Sequence, residues 1–212
     1  RKTGLNLGSL FFRSIRKGFS PRFRFFTSGG AKLDANITSR FLDLGLKIIE
    51  GYGLSETSPV LTFNPLNRPK PGSVGLPLPS VKVRIDAPDS QGVGEIVVSG
   101  PNLMDGYERR PEDTAAVLKD GWFHTGDLGY LDRDGYLFIT GRAKEMIVLA
   151  SGKKVYPEEL ERHYEKAPIV KEVCIMGEEL PDGRVERLCA VVVPDFDELR
   201  RRKSSDARAT LN

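Results

Sequence analysis

The sequence has few of the residues that build zinc sites or disulfide frameworks. It contains two cysteines and two histidines in 212 residues. Cys174 and Cys189 have no metal-ligand spacing, and His124 and His163 are too far apart in the chain for a zinc site. Each cysteine stands in an apolar, strand-like run, so the sequence predicts two buried thiols in a reducing compartment. These shortages exclude a zinc module and a disulfide-stapled secreted domain.

Long apolar segments and a strong net charge are also absent. No run is long enough to cross a membrane, no signal peptide is recognisable, and the net charge of +3 is too small to favour nucleic acid. Residues 1–33 nevertheless carry eight Lys or Arg and no acid. A solvated helix face is the favoured explanation, while a polyanion or peripheral contact with a membrane surface stays open. The expected location is the cytoplasm, with membrane-peripheral attachment as the alternative.

The sequence predicts a mixed α/β fold in two parts. Strand-like and helix-like segments first alternate as in one parallel α/β unit, and five prolines over residues 64–80 then indicate an extended linker. A β subdomain follows, and the last part of the chain predicts a separate small α+β domain. The predicted elements are strands at 22–27 and 46–49 around a helix at 34–44, strands at 81–85, 94–98 and 135–140, a helix at 111–118, and finally strands at 146–149, 170–176 and 187–193 with a helix at 157–166.

The stretch from Gly51 to Glu56 carries the most informative functional pattern. Gly51 and Gly53 let the backbone approach a ligand, and Tyr52 between them offers a face on which a flat base can stack. Ser55 can hydrogen-bond a phosphate oxygen, and Glu56 is a hard oxygen ligand suited to Mg²⁺. The run predicts a nucleotide site, although by itself it also fits an ordinary Gly-rich loop.

Two later runs carry polar groups of a related kind. Asp127 follows His-Thr-Gly on a predicted tight turn and can accept hydrogen bonds from a ribose diol. Arg142 follows a strand and can reach phosphate or ribose oxygens, and Lys144 lies where the composition changes. Taken singly, Asp127 also fits a carboxylate that stabilises its turn, and Arg142 with Lys144 fits a charged loop between domains.

The order of these runs makes the chain resemble the adenylate-forming superfamily, which includes acyl-CoA synthetases, beetle luciferases and the adenylation domains of peptide synthetases. The similarity extends over about residues 20–193, and the stretch 141–155 is most similar to bacterial long-chain fatty acyl-CoA synthetases. The matching runs are Ser28-Gly29-Gly30-Ala31, Gly51 to Thr57, Gly94-Glu95-Ile96 with Gly106-Tyr107, Thr125-Gly126-Asp127, Gly141-Arg142-Ala143-Lys144, and Ser151-Gly152-Lys153.

The resemblance implies that residues 1–142 are the C-terminal part of the large AMP-binding domain, with an α/β unit to about residue 63 and a β subdomain from 81. Tyr52, flanked by Gly51 and Gly53, would stack on the adenine of ATP or AMP. Asp127 would hold the ribose hydroxyls, with Ile139 packed nearby. The other implied roles are Gly29, Gly30 and Ala31 beside the acyl pocket and the adenine, Ser55 at the α-phosphate, and Glu56 as the Mg²⁺ ligand.

Residues 143–212 would form an incomplete small domain that rotates about Lys144. Arg142 would reach ribose or phosphate, and Gly152 and Lys153 would face the channel for the pantetheine of coenzyme A after rotation. The implied reaction of the full-length parent is that of an AMP-forming long-chain fatty acid–CoA ligase. A fatty carboxylate attacks the α-phosphate of ATP to give acyl-AMP and pyrophosphate, and the coenzyme A thiol then displaces AMP.

Two parts of the family's machinery have no counterpart in the sequence. The Ser/Thr/Gly-rich phosphate loop is missing, and Lys203 lacks the Gly-Lys context of the catalytic lysine near the family's C-terminus. The chain is therefore expected to be a fragment. The alternatives are a ligase that activates an aryl, succinylbenzoyl or amino acid, a non-catalytic nucleotide-binding module, and a nucleic-acid binder, which rests on the basic segment alone and lacks a base-stacking platform.

We predict that this polypeptide alone has little or no adenylation activity, because it lacks both the phosphate loop and the catalytic lysine of the family. ATP–pyrophosphate exchange measured with the isolated chain tests this. Exchange at the level of a no-enzyme control is the expected result, and robust exchange would show the prediction to be wrong.

Overall fold

The computed structural model describes residues 18–20, 22–180 and 183–202, and the chain divides into two compact units. The first unit runs up to Ile139 and the second begins at Thr140. The domain boundary predicted at residue 142 and the hinge predicted at Lys144 stay predictions. Lys203 and residues 1–17, which hold most of the basic segment, lie outside the described residues. No described helix has the length and apolarity needed to cross a bilayer.

The predicted parallel α/β unit is confirmed in the first unit. Its two strands pair in parallel, with Ser28 opposite Glu50. The connecting helix starts at an N-cap, since Asp34 Oδ1 accepts a hydrogen bond from Asn36 N at 2.6 Å. Because neighbouring parallel strands end at the same edge of a sheet, the Gly-rich segments at their ends come together. The elements are β1 (Phe26–Ser28), α1 (Ala35–Asp43) and β2 (Ile48–Tyr52).

The proline-rich segment, predicted to be an extended linker, contains turns at residues 66–67, 71–72 and 79–80 and is bonded into the first unit. The buried Asn64 donates from Nδ2 to Ser73 O at 2.7 Å. Lys70 Nζ contacts the Asp132 carboxylate and lies 2.8 Å from Asp134 Oδ2, which ties the segment to a distant turn. Two short strands, β3 (Thr62–Phe63) and β4 (Leu76–Pro77), complete a four-stranded sheet in the order β1-β2-β3-β4.

The predicted β subdomain is a five-stranded sheet. Its elements are β5 (Lys82–Asp86), β6 (Gly94–Ser99), α2 (Pro111–Val117), β7 (Leu118–Lys119), β8 (Trp122–Leu131) and β9 (Leu137–Arg142). The strand order is β5-β6-β8-β7, and β9 pairs with β8. The ten-residue strand β8 was not expected from the sequence. Apolar side chains from this sheet and the neighbouring segments form one buried cluster, made of Leu61, Val81, Ile96, Val98, Phe123 and Leu137.

The second unit has the α+β composition that the sequence predicts. Its elements are β10 (Ile147–Val148), β11 (Lys154–Val155), α3 (Pro157–Tyr164), β12 (Val170–Glu179), β13 (Val185–Pro194) and α4 (Phe196–Arg201). β10 pairs antiparallel with β11, and β12 pairs antiparallel with β13. Glu161 of α3 accepts a hydrogen bond from Ile175 N of β12 at 2.8 Å, so the helix is fixed against that hairpin.

The prediction that Cys174 and Cys189 are buried is wrong, because both are exposed. In the β12–β13 hairpin Cys174 lies opposite Val191 and Met176 lies opposite Cys189. Directly opposed side chains share one face of a sheet, and on this face Met176 is 47% and Val191 51% exposed. Ile175, on the other face, is 6% exposed. An apolar run identifies a strand but does not tell which of its faces is covered.

A buried polar contact links α1 to β2. Thr38 Oγ1 donates to Glu50 Oε1 at 3.0 Å, and both residues are buried. Burial raises the pKa of Glu50 above its ordinary value of 4.5, although the hydrogen bond from Thr38 acts in the opposite direction. The folded chain therefore holds the Glu50 proton more tightly than the unfolded chain does.

We expect Glu50→Gln to gain stability relative to the native chain as the pH rises from about 4 to 7. Ionisation of Glu50 destabilises the folded state above the unfolded pKa, and glutamine has no such ionisation. Urea unfolding at both pH values measures the two free energies of unfolding. Glu108→Gln, at an exposed position, is the control and should show no pH-dependent difference. If the free energies of unfolding of Glu50→Gln and the native chain differ by the same amount at both pH values, the raised pKa of Glu50 is contradicted.

Candidate functional site

The two Gly-rich segments lie against each other at the ends of β1 and β2. A Cβ atom built on Gly29 would lie 3.4 Å from Gly51 O, so the segments are in van der Waals contact. Lys32 Nζ donates to Ile139 O at 2.7 Å and ties the first segment to β9. The first unit thus brings three predicted site residues together, Gly29, Gly51 and Ile139. The exposed residues between these contacts are Gly30 and Ala31.

A hydrogen bond joins the end of β2 to β8. The Tyr52 hydroxyl donates to Asp127 Oδ2 at 2.5 Å, although the two residues are 75 positions apart in the chain. Asp127 is 4% exposed, and Tyr52 is half-buried. The contact places an aromatic ring beside a buried carboxylate, which are the groups that the sequence predicts for adenine and ribose.

Asp127 lies in a strand and not on the tight turn that the sequence predicts. The β6–β8 pairing shifts register between Glu95 and Val97, and Gly126 has a φ of +71°, which favours glycine. Glu95 Oε1 accepts a hydrogen bond from Gly126 N at 3.0 Å, and its Oε2 lies 2.9 Å from His124 Nδ1. Glu95 therefore holds the irregular stretch of β8 that directly precedes Asp127.

A tight loop after β2 presents Ser55 and Glu56. Ser55–Thr57 form a single turn of 3₁₀-helix, and the Thr57 hydroxyl bonds to backbone groups on both sides of that turn. Gly53 is needed because a Cβ atom there would lie 1.6 Å from Pro59 O. Ser55 is exposed and Glu56 half-buried, so both side chains are open to a ligand.

The segment 102–107 braces this loop. Asn102 Nδ2 donates to Thr57 O at 2.8 Å. Met104 N donates to Glu56 O at 2.8 Å, and the Tyr107 hydroxyl donates to Glu56 Oε1 at 3.0 Å. The loop is therefore held through both its backbone and its carboxylate.

Glu56 fits the Mg²⁺ that the sequence predicts. Its Oε1 accepts from Tyr107, whereas its Oε2 has no hydrogen bond within the described residues. Across those same residues no group of three or more His, Cys, Asp or Glu could hold a metal ion. A single carboxylate suits Mg²⁺ that arrives with a nucleotide, because this ion keeps waters and takes substrate phosphate oxygens beside one or two carboxylates.

The remaining predicted site residues lie in the second unit. Arg142 ends β9, and its carbonyl accepts a hydrogen bond from Glu145 N at 3.1 Å, which closes a turn containing the exposed Lys144. Gly152, with a φ of +80°, and the exposed Lys153 form the loop between β10 and β11. The roles predicted for these four residues stay predictions.

Comparison with known proteins assigns the family. A family model described as AMP-binding enzyme matches residues 9–108. The chain is 43% identical over 185 residues to feruloyl-CoA synthase of Amycolatopsis sp., which covers 81% of this chain and 37% of that relative. It is 41% identical over 175 residues to a long-chain-fatty-acid–CoA ligase of Bacillus subtilis, covering 78% of this chain and 31% of the relative. The chain belongs to the adenylate-forming superfamily.

The adenylate-forming fold is confirmed by a solved structure. o-Succinylbenzoate CoA synthetase of Bacillus subtilis, in complex with its acyl-adenylate intermediate, matches with a TM-score of 0.75 and 27% identity over 93% of this chain and 43% of that chain. The mixed α/β class predicted from the sequence is therefore correct. The chain spans about a third of the length of the curated relatives that it matches.

Two residues that brace this candidate site were given no individual role from the sequence. Glu95 and Tyr107 belong to runs that carry the family resemblance, but their partners Gly126 and Glu56 lie 31 and 51 positions away. No spacing rule predicts such contacts. The sequence offers one indication, for Glu95, which begins the otherwise apolar run Glu95 to Val98. A charged residue in a buried strand is usually paired, so a partner for Glu95 could have been expected.

We expect Glu95→Ala to lower the free energy of unfolding by about 1–3 kcal/mol and to weaken AMP binding. The substitution leaves the Gly126 N–H without its acceptor and frees the backbone next to Asp127. Chemical denaturation and calorimetry with AMP measure the two effects.

The matched variant Glu95→Gln keeps an oxygen that can accept from Gly126 N, so its losses should be smaller than those of Glu95→Ala. Unchanged AMP affinity in Glu95→Ala would show that the irregular stretch of β8 held by Glu95 does not position Asp127.

Proposed function

We propose that the chain forms the nucleotide-binding part of an AMP-forming acid–CoA ligase. In this reaction a carboxylate oxygen attacks the α-phosphorus of ATP, acyl-AMP forms and pyrophosphate leaves. The thiol of coenzyme A then attacks the acyl carbon, a thioester forms and AMP leaves. The observation that carries the proposal is the hydrogen bond between Tyr52 and Asp127, which unites two family motifs at one place.

Tyr52 and Asp127 supply the groups that would bind adenosine. The ring of Tyr52 would stack on adenine, flanked by backbone that Gly51 and Gly53 keep free of side chains. Asp127 would accept hydrogen bonds from the ribose hydroxyls. A carboxylate has about four acceptor positions, so the bond from Tyr52 is compatible with a ribose on the same group.

Ser55 and Glu56 supply the groups that would meet the phosphates. The exposed Ser55 hydroxyl would donate to an α-phosphate oxygen; it replaces the threonine more common in the family and keeps the hydroxyl. Glu56 would hold Mg²⁺. When bound, the cation offsets the negative charge that the carboxylate and ATP bring into one site.

The second unit would serve the step that follows adenylation. Arg142 would contact ribose or phosphate, and rotation about Lys144 would bring Gly152 and Lys153 toward the pantetheine of coenzyme A. The exposure of Lys144, Gly152 and Lys153 supports this role. One nucleotide pocket can then serve two reactions in sequence, because the rotation exchanges the groups that face it.

The acid that we propose is a long-chain fatty acid. Support comes from the runs Gly141 to Val148 and Gly152 to Val155 and from the 41% identity to a protein named long-chain-fatty-acid–CoA ligase. An aryl acid is the second candidate, because the chain is 43% identical to a protein named feruloyl-CoA synthase.

A panel of acids offered to the intact protein distinguishes these candidates. We expect a long-chain fatty acid to give a higher kcat/KM than ferulate or o-succinylbenzoate, measured as pyrophosphate release in the presence of coenzyme A. A higher kcat/KM for ferulate would favour the aryl acid as the substrate and contradict the fatty-acid proposal. No turnover with any acid, together with tight AMP binding, would favour a non-catalytic module.

We expect Asp127→Ala in the intact protein to lower kcat/KM for ATP by about 100-fold, or about 2.7 kcal/mol, which is the size expected for the loss of a hydrogen bond to a charged group. Initial rates at varied ATP measure this. Asp86→Ala removes a half-exposed carboxylate on β5 and should change the value little. A native-like kcat/KM in Asp127→Ala would remove Asp127 from the site.

A further inference from the structure

We propose that Tyr107 is the positioning residue for Glu56, fixing the carboxylate in the one orientation in which it receives a divalent cation. The inference rests on the proposed function, in which Glu56 holds Mg²⁺. Tyr107 itself would touch neither the cation nor the nucleotide. It acts through the hydrogen bond from its hydroxyl to Glu56 Oε1, which spans 3.0 Å.

The hydrogen bond leaves one carboxylate oxygen for a ligand. Oε1 is engaged by the Tyr107 hydroxyl, and Oε2 has no hydrogen bond in the part of the chain that the structure describes. The backbone of Glu56 is held as well, because its carbonyl accepts from Met104 N at 2.8 Å. With backbone and side chain both fixed, the direction of Oε2 is set before a cation arrives.

Tyr107 is itself held firmly by helix α2 and the turn before it. Tyr107 N donates to Thr114 Oγ1 at 2.9 Å, and Thr114 Oγ1 donates to Arg110 O at 2.9 Å. The preceding Gly106 lies so close to Thr114 that a Cβ atom on it would come within 2.8 Å of a Thr114 methyl carbon. The phenol thus projects from a rigid support and not from a free loop.

A fixed carboxylate matters for Mg²⁺ because this ion demands near-ideal octahedral geometry. Removing a group that hydrogen-bonds to a metal ligand and orients it typically lowers metal affinity or activity by roughly 10–100-fold. Loss of the phenol hydroxyl would let the Glu56 side chain sample several rotamers. The expected effect is weaker cation binding, with the chemistry of the bound complex less affected.

The test uses the intact protein with saturating α,β-methylene ATP, and the readout is the melting temperature during a Mg²⁺ titration. We expect Tyr107→Phe to raise the Mg²⁺ concentration for half-maximal stabilisation by about 10-fold. The matched control is Tyr136→Phe, which removes another tyrosine hydroxyl that donates to Arg68 O at 2.7 Å, outside the site. It should leave the Mg²⁺ midpoint unchanged.

A purely structural role for Tyr107 would lower the melting temperature without moving the Mg²⁺ midpoint, and this result would overturn the inference. A double-mutant comparison keeps the test decisive if Tyr107→Phe is less stable. In the Glu56→Gln background, Tyr107→Phe should add no further shift of the midpoint, because the group that it orients is already gone. An equal added shift in that background would also overturn the inference.

The same variants separate this inference from the proposed function. If Glu56→Gln weakens the Mg²⁺ response while Tyr107→Phe does not, Glu56 remains the cation ligand and only the role of Tyr107 fails. If Glu56→Gln leaves the Mg²⁺ response unchanged, the metal assignment in the proposed function fails, and the role of Tyr107 fails with it.

Discussion

The hydrogen bond from Tyr52 to Asp127 is the contact on which the site in the first unit depends. Tyr52 ends a strand of the parallel α/β unit, and Asp127 belongs to the long strand of the β subdomain. Each partner is fixed by its own surroundings. Tyr52 is held by the pairing of β2 with its neighbours, and Asp127 follows the irregular stretch of β8 that Glu95 holds. In the proposed function, a nucleotide that used both groups would meet a surface already ordered before binding, which would reduce the entropy lost on association.

The loop that carries Ser55 and Glu56 is likewise held in place by surrounding residues. A turn this short has little stability of its own, and its shape comes from groups around it. Gly53 allows the close approach of two backbone segments, Thr57 closes the turn, and the segment 102–107 holds the loop from outside. The side-chain atoms of Ser55 and Glu56 are few and accessible. The residues that hold them in place are spread over more than fifty positions of the sequence.

Local patterns predicted what is local in this structure. The helix that follows the Asp34 cap and the parallel strands beside it were predictable because their periodicity and capping lie within a few residues. Strand β8 was not, since the run before Asp127 has the composition of a turn and becomes a strand only by pairing with β6. The partners of Glu95 and Tyr107 were equally inaccessible, because a contact between distant segments leaves no trace in the spacing of either one.

The exposed face of the β12–β13 hairpin has a practical consequence. Cys174 and Cys189 are the only cysteines of the chain, and both lie on that face in the second unit. A maleimide dye or nitroxide applied to this polypeptide would therefore mark the second unit and leave the first unmodified. The two native thiols are therefore labelling sites on the unit for which rotation is proposed, and that proposal can be tested without engineering a new cysteine.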